Sequence, residues 1–458
     1  MTGTGKITKT VTATGSQFID SVLSGFAWGG TGVTYAFPTS TASYSYFGEP
    51  NNNFGSVSAL QKNAALFAME KSFGGSANDG FSVEGFTNLN FAAGSPGTAT
   101  LRFAQSDDAR PTAHAYYPST SPTGGDIWFS TENAGTINDY RVPKAGNYAW
   151  HTLIHELGHA LGLKHAHESN TFGAIQSEWN SPEYSVMTYN SFVGDNAAGY
   201  KYEEFGAPQT FMMADIYALQ YMYGADYSTN KGSTVYKWKP GTGDTFVNGK
   251  LAIDAGGNRI FATVWDGGGN DTYDLSAYKT GIEIDLRPGA YSMFSKTQLA
   301  FLGGGPNDGY ARGNIFNALL FNGDLRSLIE NAKGGSGNDT ILGNQGKNHL
   351  IGNGGNDILR GAAGNDKLNG GTGNDMLTGG KGSDVFIFKK GYGRDTITDF
   401  TNNVDDIDLR SYNFSSVSKV LAKAEQVGSD VHIELGGNDL LILKRFNLSN
   451  LDKGDFLL

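Results

Sequence analysis

The sequence predicts an α+β domain followed by an all-β domain, and three observations carry that prediction. From residue 16 to about 225, strand-like runs alternate with amphipathic helical patterns. After Gly224 the helical periodicity fades, and Gly, Asn and Asp accumulate between short aliphatic pairs. Between Gly334 and Ile387 the chain repeats every nine residues. The polar stretch YSTNKGS sets the boundary, giving a flexible segment 1–15, a first domain 16–232 and a second 233–458. At roughly 150 residues per domain, 458 residues suffice for sizeable cores.

In the first domain, Val33–Phe37 and Asp126–Ser130 read as strands, and helices are expected over Ala59–Lys71, Tyr148–Leu163 and Phe211–Tyr223. Ala113, His114, Ala115, Tyr116 and Tyr117 alternate on a short strand closed by Pro118. In the second domain, position one of the repeat is Gly334, Gly343, Gly352, Gly361, Gly370 and Gly379. Position four is Gly337, Gly346, Gly355, Gly364, Gly373 and Gly382, and position six is Asp339, Asn348, Asp357, Asp366, Asp375 and Asp384. Position eight is always apolar, from Ile341 through Leu350, Leu359, Leu368 and Leu377 to Phe386. The tail from Phe388 to Leu458 alternates β-type runs (ITDF, VHIEL, LLILKRF) with turn signals.

Composition excludes several classes of chemistry. With 34 basic and 45 acidic residues the net charge is −11, which disfavours a nucleic-acid partner and suits cation binding. The absence of cysteine removes disulfides, thiolate metal sites and a cysteine nucleophile, so any metal is held by His, carboxylate or carbonyl oxygen. No run of eighteen apolar residues predicts a membrane span, and MTGTGKITKTVTATG lacks the apolar core of an N-terminal export signal.

Glycine, at 65 residues about twice its ordinary usage, has a specific task in the repeat. It permits tight turns and bares carbonyl oxygens, and a carboxylate follows at position six. Six to eight hard oxygens of this kind are what Ca²⁺ takes, and two stacked turns supply them from both sides. A flexible linker would need no apolar residue fixed at position eight, so the expectation is a parallel β-roll with that residue inward. The second unit, with Asn344 and Asn348, is expected to bind weakly or not at all, and an isolated copy, Asp266-Gly-Gly-Gly-Asn-Asp271, lies upstream.

Five of the eight histidines fall between His151 and His167. His155 and His159 lie four apart on one helical face with Glu156 beside them, and Gly162 lets the chain leave the helix so that His165 returns as a third ligand. Three imidazoles leave one position on Zn²⁺ open, the catalytic pattern, with Glu156 as general base for an attacking water. His151 and His167 read as incidental neighbours, either able to replace His165. Met187 would floor the site, and the Tyr189 phenol would stabilise an oxyanion.

Taken together, HELGHALGLKH (155–165), SVMTY (185–189), DIYALQYMYGAD (215–226), WDGGGNDTYDLS (265–276) and IENAKGGSGND (329–339) resemble the serralysin-type metalloproteases of the metzincin group, over nearly the whole chain. That resemblance implies a metzincin-type catalytic domain followed by a calcium-loaded RTX β-roll merging into a β-sandwich. It implies endopeptidase activity on proteins, zinc on His155, His159 and His165, Glu156 as base, Met187 as the Met-turn and Tyr189 as an outer zinc ligand. The implied calcium set is Asp266, Gly268, Asp271, Glu330, Gly335, Gly337, Asp339, Gly355, Asp357, Gly364, Asp366, Gly373, Asp375, Gly382 and Asp384. Residues 113–117 resemble the strand against which an extended substrate pairs. Export by a type I secretion apparatus reading Asp455-Phe-Leu-Leu458, an extracellular monomer, and a small proteinaceous inhibitor complete the implied picture.

The chain departs from the family at Ala166, where proline usually follows the third histidine, and in the shorter segment GFAWGGTGVTYAFP before the first catalytic-domain strand. The rival reading is a calcium-dependent adhesive RTX protein whose protease domain has decayed. Intact ligands and base favour the enzyme.

Overall fold

A computed structural model describes residues 6–75, 77–196 and 199–458. Packing divides the chain into two units: one holds the chain up to Lys231 with Gly241–Gly267 and Thr297–Asp324, the other Gly232–Pro240, Gly268–Lys296 and Leu325–Leu458. Where the sequence suggests a single boundary at 232/233, the polypeptide returns twice to the first unit. The reason lies in short buried strands: Ala262–Val264 pairs in parallel with Ile315–Asn317 inside that unit. A compositional shift marks a change of local period, not of core membership.

Of the segment expected to be flexible, residues 1–5 lie outside the described residues. Thr8–Thr10 is a strand, paired antiparallel with Phe26–Trp28, so order extends further towards the N-terminus than composition suggests. The main sheet of the first unit runs Asn90–Ala93, Gly32–Ala36, Leu101–Gln105, Asp126–Phe129, Ala113–Ala115. Neighbours along this order are parallel except the last pair, where His114 faces Trp128, and Gly55–Ser56 adds antiparallel to Leu101–Gln105. Leu101–Gln105 and Asp126–Phe129 are buried at every position, as interior parallel strands are. The edge strand is shorter than the five residues expected, although Tyr116 N–H still reaches Asp126 O at 3.0 Å.

Helix Ala59–Met69 starts at a capping box: Ser58 accepts from Gln61 N–H, and the Gln61 side chain accepts in return from Ser58 N–H. Helix Met213–Tyr223 begins two residues later than expected, because Asp215 Oδ2 takes Met212 N–H at 3.0 Å and fixes the turn there.

In the second unit the strands of successive repeats alternate between two parallel sheets. Each strand pairs with the one two repeats on: Leu350 with Leu368, Leu368 with Phe386, Ile341 with Leu359, and Leu359 with Leu377. All six residues at position eight are fully buried, the inward side expected of a roll. The same registers extend past the repeats, from Tyr236, Tyr273 and Ala332 at one end to Ile407 and Phe456 at the other. A meander, Ala424–Val427, Asp430–Gly436 and Asp439–Leu443, closes one sheet with antiparallel pairing. Glycine at position four is sterically required at Gly355, Gly364, Gly373 and Gly382. Gly373 and Gly382 have φ of 141°, and a Cβ on Gly382 would lie 1.5 Å from Gly364 O of the turn below.

Candidate metal centre

The histidine helix, Tyr148–Leu161, is capped by Asn147, whose side chain accepts from Trp150 N–H, and ends at Gly162 with φ of 108°. Any Cβ on Gly162 would lie 2.3 Å from Phe26 O, so glycine alone permits the exit. Beyond it the chain is stitched to the N-terminal segment: Lys164 N–H meets Val22 O at 2.8 Å, and Gly162 O accepts from Ser24 N–H at 3.0 Å. This return brings His165 back over the helix.

Each of the three histidines has its Nδ1 matched to an acceptor: His155 to Val186 O at 2.8 Å, His159 to Leu163 O at 2.7 Å, and His165 to Glu168 Oε1 at 2.9 Å. Carbonyl and carboxylate oxygens accept, so Nδ1 carries the proton and the Nε2 lone pairs are left for a metal. His159 Nε2 and His165 Nε2 approach to 3.0 Å, and one ligand atom from each of the three residues lies within 4.8 Å of the others. Burial pushes His155 down to about 4 and His165 to about 3, which keeps the rings neutral as ligands must be. The donor set fits zinc in a site with an open position.

Glu156 is buried, and burial raises its carboxyl to about 8 against a backbone hydrogen bond from Ala115. Its Oε2 has no hydrogen-bond partner, so the carboxyl has one oxygen still to be engaged. Met187 lies under the helix, and a Cβ at Gly158 would come within 2.7 Å of its sulfur. Tyr189, 39% exposed, stands beside the imidazoles with ring centroids 4.5 Å from His165 and 5.8 Å from His155. Of the proposed substrate strand, Tyr117 meets His159 edge-on at 5.5 Å, whereas His114 and Tyr116 turn to Glu49 and are tied there.

Sequence reasoning missed the supports of this site. Lys164, 1% exposed, donates Nζ to Ser21 O, Glu168 O and Gly173 O at 2.6, 2.7 and 3.1 Å, pinning the loop that carries His165 and Glu168. Asp215 accepts from Ser185 Oγ at 2.6 Å and Val186 N–H at 2.8 Å, fixing the turn before Met187. Ala166 N–H donates to Met187 O at 3.0 Å, a bond proline cannot make. Ala166→Pro is therefore expected to destabilise the first unit by about 1–3 kcal/mol through the orphaned carbonyl. An unchanged melting temperature would contradict it.

In the repeats the position-six carboxylates form a ladder. Asp357, Asp375 and Asp384 Oδ1 accept the amide of the position-six residue eighteen before at 2.7–2.9 Å, from Asp339, Asp357 and Asp366. Asp366 does the same for Asn348 at 2.7 Å. The Oδ2 atoms of Asp357, Asp366, Asp375 and Asp384 are buried without a hydrogen-bond partner. Each lies where a Cβ on the position-one glycine would sit, 2.1–2.2 Å away, so glycine there keeps the cradle open. Orphaned carboxylate oxygens in such cradles fit a hard cation. The degenerate unit differs: Asn344 Nδ2 donates to Leu286 O and Ile329 O, and Asn348 Nδ2 to Glu330 O, so amide donors stand where the other units carry an unpartnered carboxylate oxygen.

Of the remaining calcium residues, Asp339 takes Gly335 N–H at 2.6 Å and Glu330 takes Asp271 N–H at 2.8 Å. Asp266 is buried at the end of the first unit, while Gly268, with φ of 135°, opens the next segment of the second. Asp395 and Asp405 extend the ladder by accepting from Asp375 and Asp384 N–H at 3.0 Å; spacings of 20 and 21 hid them from a nine-residue period.

Burial pushes Asp357 and Asp366 up to about 7 from 3.8. A carboxyl with a raised folded pKa favours the fold while protonated, an effect present below the unfolded value and lost as pH rises through about 7. In EGTA the repeats should thus hold more β-structure at pH 5 than at pH 8, by circular dichroism. Equal spectra would contradict the assignment.

A matrixin-type region followed by calcium-binding repeats is the class that this fold and site define. Matches to known families run in that order: matrixin over 87–184, peptidase M10 serralysin C terminal over 225–298, and the RTX calcium-binding nonapeptide repeat over 333–368, 351–386 and 360–395. In these segments the chain is similar to serralysin-type metalloproteases. It is 32% identical over 322 residues to metallopeptidase AprA of Pseudomonas marginalis, covering 68% of this chain and 60% of that protein. To serralysin of Proteus mirabilis it is 35% identical over 324 residues, 68% of this chain and 59% of that one. The chain thus spans about three fifths of the length of the curated relatives it matches.

Proposed function

We propose that this chain is a secreted, calcium-stabilised zinc endopeptidase that hydrolyses peptide bonds in proteins. The observation that carries the reading is the convergence of three proton-free Nε2 atoms beside a buried carboxylate oxygen with no partner. His155, His159 and His165 would hold zinc, which would supply a Lewis acid for the scissile carbonyl. Glu156 Oε2 takes a proton from the attacking water and returns it to the leaving nitrogen as the C–N bond breaks. The Ala115 backbone hydrogen bond steadies the carboxylate through this exchange.

Tyr189, beside the His155 and His165 rings, would be an outer ligand to such a zinc and would donate its phenol to the developing oxyanion. Tyr189→Phe should lower kcat more than it changes KM, by about 10- to 1,000-fold, and unchanged kinetics would remove Tyr189 from the mechanism. Ala113–Tyr117 is the edge against which an extended substrate pairs by main-chain hydrogen bonds. A peptide-inhibitor complex lacking such bonds would rule that out.

The second unit is a calcium-loaded β-roll merging into a β-sandwich, and the catalytic unit has a metzincin-type fold. The repeat carboxylates and carbonyls, together with Asp266, Gly268, Asp271 and Glu330, would hold calcium. Asp455–Leu458 is the segment read by a type I secretion apparatus. Phe456–Leu457 pairs in parallel with Ile407–Asp408, so such reading precedes folding. Extracellular calcium then drives the roll to fold after export. The secreted chain is a monomer, open to a small proteinaceous inhibitor, and none of its described helices is long and apolar enough to cross a membrane. Casein hydrolysis in calcium, abolished by a zinc-selective chelator and restored by zinc, is the expected result; hydrolysis that survives zinc removal would refute the reading.

A further inference from the structure

His151, read from sequence as incidental, is 1% exposed and lies one helical turn before His155. The two rings share one acceptor: His151 Nε2 is 3.1 Å, and His155 Nδ1 2.8 Å, from Val186 O. A carbonyl oxygen only accepts, so both nitrogens carry hydrogen. The other His151 nitrogen, Nδ1, is 2.8 Å from the Tyr202 hydroxyl. In a buried neutral ring with its proton on Nε2, Nδ1 accepts and Tyr202 donates. The shared oxygen belongs to a peptide that is itself fixed, since Asp215 holds Val186 N–H and the Ser185 hydroxyl. His151 and Tyr202 also line a cavity of about 760 Å³ that reaches His155, Glu156 and Tyr189.

We propose that His151 is a positioning residue for the ligand His155: oriented by Tyr202, it holds the Val186 carbonyl in line with His155 Nδ1–H and so keeps His155 Nε2 turned to the other two ligands. The inference rests on the zinc reading given above. A ligand whose second nitrogen is anchored this way loses metal affinity when the anchor loosens, by about 10- to 100-fold in general. His151 is not a ligand, because both its nitrogens are committed within the protein.

Two variants separate positioning from packing. His151→Phe keeps the bulk of the ring but has neither donor nor acceptor, whereas His151→Gln keeps an N–H for Val186 and an oxygen for Tyr202. The full calcium-loaded chain is titrated with zinc against a competing chelator, its Co²⁺ form is read by visible absorption, and kcat and KM are measured on a peptide. His151→Phe should bind zinc about 10- to 100-fold more weakly, shift the Co²⁺ bands, and lower kcat with KM nearly unchanged. His151→Gln should stay within about threefold of the parent in each readout, by the same reasoning. The reverse order, with Phe like the parent and Gln impaired, would make His151 a packing residue and overturn the proposal. Should His151→Phe not fold, Tyr202→Phe removes one hydroxyl only; it should weaken zinc by about 3- to 10-fold, and an unchanged affinity and Co²⁺ spectrum would overturn the proposal equally. A parent chain that takes up no zinc would instead strike down the underlying reading, and this inference with it.

Discussion

Glu156→Gln is expected to leave zinc bound and the fold intact while lowering turnover by about 10²- to 10⁴-fold or more, the ordinary worth of a positioned general base. The substitution conserves shape and keeps an oxygen that can accept the backbone hydrogen bond from Ala115. It also removes a carboxyl that burial already holds near 8, so the metal-free chain should lose no stability at neutral pH. None of the three histidines relies on Glu156, since their Nδ1 partners are Val186, Leu163 and Glu168. Metal analysis should find one zinc per chain beside the lost turnover. A variant that loses its zinc would show that Glu156 is holding the metal, contrary to the role given it.

The second large effect is expected in the repeats. Replacing Asp357, Asp366 and Asp375 together by Ala removes three bare oxygens and three ladder acceptors, leaving the Asp339, Asn348 and Asp357 amides without their partners. A buried amide left unpaired costs about 1–3 kcal/mol, and the ion that would offset mutual repulsion of the remaining carboxylates is lost as well. Far-UV circular dichroism of this variant should show no gain of β-structure on adding calcium, where the parent chain shows a large one. A calcium-induced gain that persists would mean that other residues bind the ion.

The parts of the molecule written as local periods were legible in the sequence. The four-residue spacing of His155 and His159 and the glycine at 162 are local signals, and both appear as a helix face and a left-handed exit. The nine-residue period likewise placed all six apolar residues of position eight inside. What escaped reading depends on distant partners. Lys164 acts through Ser21, 143 residues away, and His151 through Val186, 35 residues away. Neither side chain advertises its carbonyl acceptor. Asp395 and Asp405 escaped for another reason: the chain lengthens its turns to 20 and 21 residues while keeping the same ladder bond. The segments 241–267 and 297–324 look, by composition, like the rest of the second half, and only their packing assigns them to the first unit.

X-ray absorption at the zinc edge, on the calcium-loaded Glu156→Gln chain, tests most directly whether these three histidines make a catalytic metal site. Three imidazole nitrogens at about 2.0–2.1 Å with one or two oxygens completing the shell is the predicted result. A shell closed by four imidazoles, with His151 or His167 joining the three, would leave no position for substrate and contradict the account.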